Sequence, residues 1–70
     1  MGIWSSTKSR RVLDALFRIG LKLKREKGSN KILTKEGFED FVFAFHDKEE
    51  IGPKMLARIS KHTNLKPDNL

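Results

Sequence analysis

Two places in this chain carry side chains of types that could do chemistry. Lys27-Gly28-Ser29-Asn30-Lys31 joins a glycine that lets backbone approach a phosphate, a hydroxyl that can donate to it, and two lysines that neutralise it. The same residues also make an ordinary hairpin turn, so the pattern alone is weak. His46 follows the apolar run Phe41–Phe45. There an imidazole either shuttles a proton for a ligand or ends a strand on a half-exposed edge. His62 falls late in a helical stretch and reads as structural. Glu39-Asp40 and Glu49-Glu50 are neighbours in sequence, do not converge on one atom, and read as solvated charges. Without cysteine, and with two histidines only, no metal site is expected. No Walker loop or glycine-rich dinucleotide turn is present, so no cofactor is expected either.

Local signals set the elements that must position these residues. Ser5-Ser6-Thr7 offers hydroxyls for a helix start, and Val12, Leu13, Leu16, Phe17 and Ile19 recur at helical spacing. Gly20 stands where a left-handed residue would end that helix. Leu21 to Glu26 alternates apolar and charged residues, predicting a strand with Leu21 and Leu23 inward and Lys22, Lys24 and Glu26 outward. Lys31–Thr34 predicts a second strand and Phe38–His46 a third, expected to be the central or best-covered one. The phenylalanines could stack bases, but their period-two spacing reads as core. After an acidic loop, Asp47–Glu50, Gly52 and Pro53 open a second helix with Ile51 poised to pack on Leu56. Its buried stripe should hold Met55, Leu56, Ile59 and, at its end, His62, with Asn64 closing it and Leu65 packing back before a short tail. Trp4 lies outside these elements and either covers a helix end or anchors a partner.

The expected fold is α+β, in the order α-β-β-β-α: a three-stranded antiparallel sheet with two helices on one face. That is the layout of double-stranded-RNA-binding domains, an analogy that carries no function by itself. Seventy residues at 37 % hydrophobic content support one thin core, so residues 1–70 are expected to form one domain. No apolar run reaches the length of a bilayer span, and Met1-Gly2-Ile3-Trp4 opens no signal peptide. A cytoplasmic protein with no membrane partner is expected.

The net charge of +6 is polarised along the chain. Between Lys8 and Lys35 ten basic residues face only Asp14 and Glu26, whereas between Glu36 and Ile51 six acids face only Lys48. Clustering of this kind gives a basic surface and an acidic patch instead of an even coat. It favours a nucleic acid over the plainer reading that the lysines keep a small domain soluble, with Lys22, Lys24, Arg25, Lys27, Lys31 and the Gly28-Ser29 backbone as the candidate phosphate-binding groups.

The order of these features resembles the HicA (YcfA-like) mRNA interferase family, toxins of bacterial and archaeal toxin–antitoxin pairs. The resemblance runs from about Val12 to Leu65. It rests on the helix ending in Gly20, the Lys27-Gly28-Ser29 turn, the strand leading into His46, and Glu50-Ile51-Gly52. It continues through Leu56-Ala57-Arg58-Ile59-Ser60-Lys61-His62-Thr63-Asn64-Leu65, where the family typically reads like L-R-x-I-L-x-x-A-G-L. The resemblance implies the same α-β-β-β-α fold, ribosome-independent cleavage of mRNA, and neutralisation by a HicB-like antitoxin.

One departure stands out. Family members usually carry histidine just after the Gly-Ser, where this chain has Asn30 and then Lys31. An amide can hold an RNA group but takes no proton at neutral pH. Three explanations fit: divergence into a binder, an inactivating substitution at Asn30, or catalysis carried by Lys31 and His46. The resemblance therefore implies an endoribonuclease with an impaired site. Its rivals are a non-catalytic module of the same fold that binds RNA or antitoxin, and a small interaction domain with no nucleic-acid ligand.

Overall fold

The computed structural model describes residues 4–46 and 48–70. In chain order its elements are β1 (Thr7–Lys8), α1 (Ser9–Arg18), β2 (Lys22–Lys27), β3 (Asn30–Thr34), β4 (Phe41–Ala44), β5 (Glu50–Ile51), α2 (Pro53–Thr63) and a 3-10 turn, Pro67–Asn69. Met1–Ile3, part of the stretch expected to open no signal peptide, and Asp47, the first residue of the expected acidic loop, lie outside the described residues. The expected α-β-β-β-α order is present as α1-β2-β3-β4-α2, with an additional two-stranded ribbon.

That ribbon replaces the expected side-chain cap. Ser5, Ser6 and Thr7 do not cap α1; the Thr7 hydroxyl donates to the Ser5 carbonyl at 2.8 Å. Instead Thr7 pairs with Ile51 and Lys8 with Glu50, and the Ser9 N–H donates to the Glu49 carbonyl at 2.9 Å. A backbone acceptor thus satisfies one of the orphan donors of the helix start. Glu50, expected in a loop, belongs to this ribbon.

The far end of α1 follows the local rule. Gly20 has φ +111°, the Gly20 N–H donates to Phe17, and the Leu21 N–H donates to Leu16, both at 3.1 Å. This is the paired hydrogen bonding of a Schellman ending, and it delivers Leu21 into the core. Val12, Leu13, Ala15 and Leu16 are buried, but Phe17 is exposed. It falls in the last turn of α1, at the edge of the buried stripe, and is 40 % exposed.

The sheet order is β2-β3-β4, antiparallel throughout, so β3 is central and β4 is an edge strand. This corrects the expectation that the phenylalanine run forms the central or best-covered strand: it is an edge strand with Val42 and Ala44 exposed. Both connections are short, so each strand lies beside its predecessor and the middle strand in sequence becomes the middle strand in space. The run also contributes fewer residues than expected. Phe38 sits in a turn with Gly37 (φ +85°), its N–H bonded to the Lys35 carbonyl at 3.0 Å, and His46 lies past the strand end.

Below the sheet, Leu33 and Phe43 join Leu16 of α1 and Leu56 and Ile59 of α2 in one buried cluster. Gly52 and Pro53 open α2 as expected, and Asn64 at φ +64° closes it with Leu65 fully buried. The buried α2 stripe is Leu56, Ile59 and Thr63; Met55 and His62, expected there, are exposed. Met55 lies in the first turn of α2 at the mouth of a cleft beside β4, and His62 instead stacks its ring on Phe41 at 5.7 Å. The expected tail is structured: Arg18 donates to the Asn69 carbonyl at 2.7 Å, and Leu70 packs against the core.

Candidate nucleic-acid interface

The β2–β3 turn is where the predicted phosphate-binding residues meet. Lys27 pairs with Asn30, leaving Gly28 and Ser29 as a two-residue loop. Gly28 has φ +59° while Ser29 does not have positive φ. Positive φ at the first loop position alone is the II′ pattern, whose twist suits a hairpin and which favours glycine there. The Phe45 N–H donates to the Ser29 carbonyl at 2.8 Å, so the end of β4 is fastened to this turn and His46 follows directly beside it.

Register decides which side chains share a face. Leu33 and Phe43 are buried under the helices, so residues 31, 33, 41 and 43 face the helices and residues 30, 32, 34, 42 and 44 face the open side. In β2 the pairing steps from Leu23↔Leu33 to Arg25↔Ile32, with Lys24 as the extra residue of a bulge. The bulge reverses the alternation. Lys22, Arg25 and Lys27 come to the open face opposite Thr34, Ile32 and Asn30, while Glu26 turns to the helix side opposite Lys31. The expected grouping of Lys22, Lys24 and Glu26 on one outward face therefore fails at Glu26. Leu23 lies on the helix side but on an edge strand, and is 45 % exposed instead of buried.

Asn30 and Lys31, adjacent in sequence, are thus placed on opposite faces. Asn30 is exposed between Lys27 and Ala44, with Cα separation from Lys27 of about 5.5 Å for a hydrogen-bonded pair. The Lys31 ammonium bonds Glu26 at 2.6 Å and lies 5.2 Å from the Phe45 ring centroid. Lys24 is also neutralised: its ammonium meets Asp40 at 2.6 Å. That contact, with help from Thr34, holds the Asp40 carboxyl below its ordinary value of 3.8. Asp40 was not singled out from sequence as a partner for Lys24, since sixteen residues separate them and only the sheet brings them together.

Three cations, Lys22, Arg25 and Lys27, remain without an ion-pair partner among the described residues, all on the open face with Asn30. The arrangement can hold a polyanion backbone along β2 and a polar group at Asn30. No group of three or more His, Cys, Asp or Glu is placed to hold a metal ion among the described residues. No helix there is long and apolar enough to cross a membrane.

A protein-family model described as the HicA toxin of bacterial toxin-antitoxin matches residues 9–65. Comparison with curated proteins finds no match. Comparison with solved structures also finds none. The matched span begins at the first residue of α1 and ends at Leu65, so it contains both helices and the whole three-stranded sheet.

Proposed function

This chain belongs to the HicA toxin family of bacterial toxin–antitoxin systems, and from that premise we propose a single-domain cytoplasmic toxin that acts on RNA and is held by a HicB-like antitoxin. Its RNA lies on the open face of the sheet, the phosphates on Lys22, Arg25 and Lys27 and one polar RNA group at Asn30. The observation that carries this reading is the bulge at Lys24, which brings Lys22, opposite Thr34 at the far end of β3, onto the same open face as Arg25, Lys27 and Asn30.

The chemistry of an mRNA interferase at this position is attack of a ribose 2′-oxygen on the adjacent phosphorus as the bond to the 5′-oxygen breaks. A base must take the 2′-hydroxyl proton, and the departing 5′-oxygen must receive one. Asn30 is well placed to orient the ribose or phosphate but has no proton-accepting site at neutral pH. Lys31 is no substitute base on that face, because its ammonium is directed to Glu26 and Phe45 on the other. His46 is the remaining imidazole near the turn. Endonuclease activity of the unmodified chain is therefore weak. The amide at residue 30 also favours a second reading, in which the protein binds RNA and antitoxin without cutting.

Binding of a long unstructured RNA, followed by fluorescence anisotropy across a salt series, tests the interface. Affinity should fall steeply with salt, and the Lys22→Glu, Arg25→Glu, Lys27→Glu triple variant should lose it. For single strands the log–log slope is about 0.7 per neutralised phosphate, so three contacts contribute about 2. Salt-independent binding, or equal binding by the triple variant, contradicts the reading.

A further inference from the structure

We propose that the outer edge of β4 is a docking edge for an extended, basic-flanked segment of a partner polypeptide. The ladder itself fixes the geometry. The Phe45 N–H bonds Ser29, so Phe41, Phe43 and Phe45 point their backbone groups toward β3. The two-residue hairpin makes Lys27↔Asn30 a hydrogen-bonded pair and sets the same phase for β3. Val42 and Ala44 consequently point their N–H and C=O groups away from the sheet, and no strand pairs with them among the described residues.

The two edges of the sheet differ in how they discourage such pairing. The β2 edge, Lys-Leu-Lys-Arg-Glu-Lys, is charged at nearly every position, the usual guard against strand addition. The β4 edge, Phe-Val-Phe-Ala, carries no charge or proline, and Val42 is 56 % exposed. Beside it runs a cleft lined by Phe43, Ile59 and Met55 on its apolar side and by Glu49 and Glu50 at one end. A strand hydrogen-bonded to Val42 and Ala44 sends alternate side chains into that cleft and the others over the open face.

Charge selects the occupant. Acids flank β4 in the chain on both sides, Glu39 just before it and Glu49 and Glu50 after it at one end of the cleft, with Lys48 the only cation from residue 36 to residue 51. Antiparallel addition of a second copy at this edge sets the acidic flanks of the two chains against each other, which is destabilising. RNA is repelled for the same reason. An apolar, β-branched segment with Lys or Arg at its ends meets both requirements. The inference rests on the strand edge and its flanks alone, and is independent of the RNA reading.

The test is amide hydrogen exchange followed by NMR on the full chain, with a synthetic peptide alternating Val and Thr and capped at both ends by lysines. On addition of peptide, the Val42 and Ala44 amides should become protected from exchange. The glutamate-capped counterpart should give no protection. Val42→Pro removes one outward donor and leaves the β3 ladder intact, while Val42→Lys keeps the donor and adds a guarding charge; both should lose peptide binding. RNA binding by these variants, measured in parallel, should persist. Absence of protection by the lysine-capped peptide overturns the proposal, as does equal protection by the glutamate-capped one. Protection in the peptide-free protein that grows with its concentration assigns the edge to a second copy and overturns it as well, as does protection by RNA.

Discussion

Two neighbouring residues of α2 should respond very differently to truncation. Ile59 is 1 % exposed and sits in the cluster that joins both helices to the sheet, whereas Met55 is 47 % exposed at the rim of the β4 cleft. Truncating a fully buried isoleucine to alanine costs about 2–5 kcal/mol, from lost burial plus the cavity left behind. A domain of this length holds roughly 3.5–10 kcal/mol in total at typical stability per residue. Ile59→Ala therefore removes a large share of the folding free energy. At about 4–8 °C per kcal/mol for domains of this size, even a loss of 2 kcal/mol lowers Tm by about 8–16 °C. Met55→Ala leaves no sealed cavity and should cost under about 1 kcal/mol. Thermal melts by circular dichroism, with urea titrations as a second measure, give both numbers. Equal losses from the two variants, or an Ile59→Ala melt that does not move, would refute the packing of α2 on the sheet.

Gly28→Ala should cost about 1–2 kcal/mol in a urea titration, because φ is +59° there while a Cβ meets nothing within 4 Å; no loss would contradict the turn geometry. Asp40 contributes acid sensitivity of known sign: its carboxyl is held below 3.8 in the fold, so its stabilising contribution is full above the unfolded value and disappears as pH falls through the folded one. Asp40→Asn should remove that component from a stability profile recorded below about pH 5, and an unchanged profile would contradict the Lys24 contact.

The features legible in the sequence are those governed by local backbone rules. Gly20 ending α1, Gly52 and Pro53 opening α2, and Asn64 with Leu65 closing it all follow from a few adjacent residues. The order of helices and strands follows from hydrophobic period in the same way. What the sequence does not reveal depends on pairing between distant segments. The β1–β5 ribbon joins Thr7 to Ile51 across most of the chain, and neither two-residue strand has a periodicity to read. The phenylalanine run looks central because both of its faces are apolar, yet the strand order places it at an edge. At the candidate site the deciding feature is the bulge at Lys24. One extra residue changes which cations share a face with Asn30, and simple alternation along β2 contains no sign of it. Lys31 shows the same limit, since the carboxylate and ring that engage it are visible only once the strands are paired.

On the proposed function, residue 30, on the open face beside Lys27, is the position at which a HicA toxin carries its base, and asparagine there silences RNA cleavage. Cleavage of a long unstructured RNA by the unmodified chain, Asn30→His and Lys31→His tests it most directly. An imidazole at residue 30 supplies a base that titrates near neutrality, and general-base catalysis is worth about 10²–10⁴ in rate. Near silence is expected from the unmodified protein and a gain of that order from Asn30→His, with products ending in a 2′,3′-cyclic phosphate. No gain is expected from Lys31→His, whose side chain faces the helices. Robust cleavage by the unmodified chain, or a folded Asn30→His variant as silent as its parent, would contradict this reading.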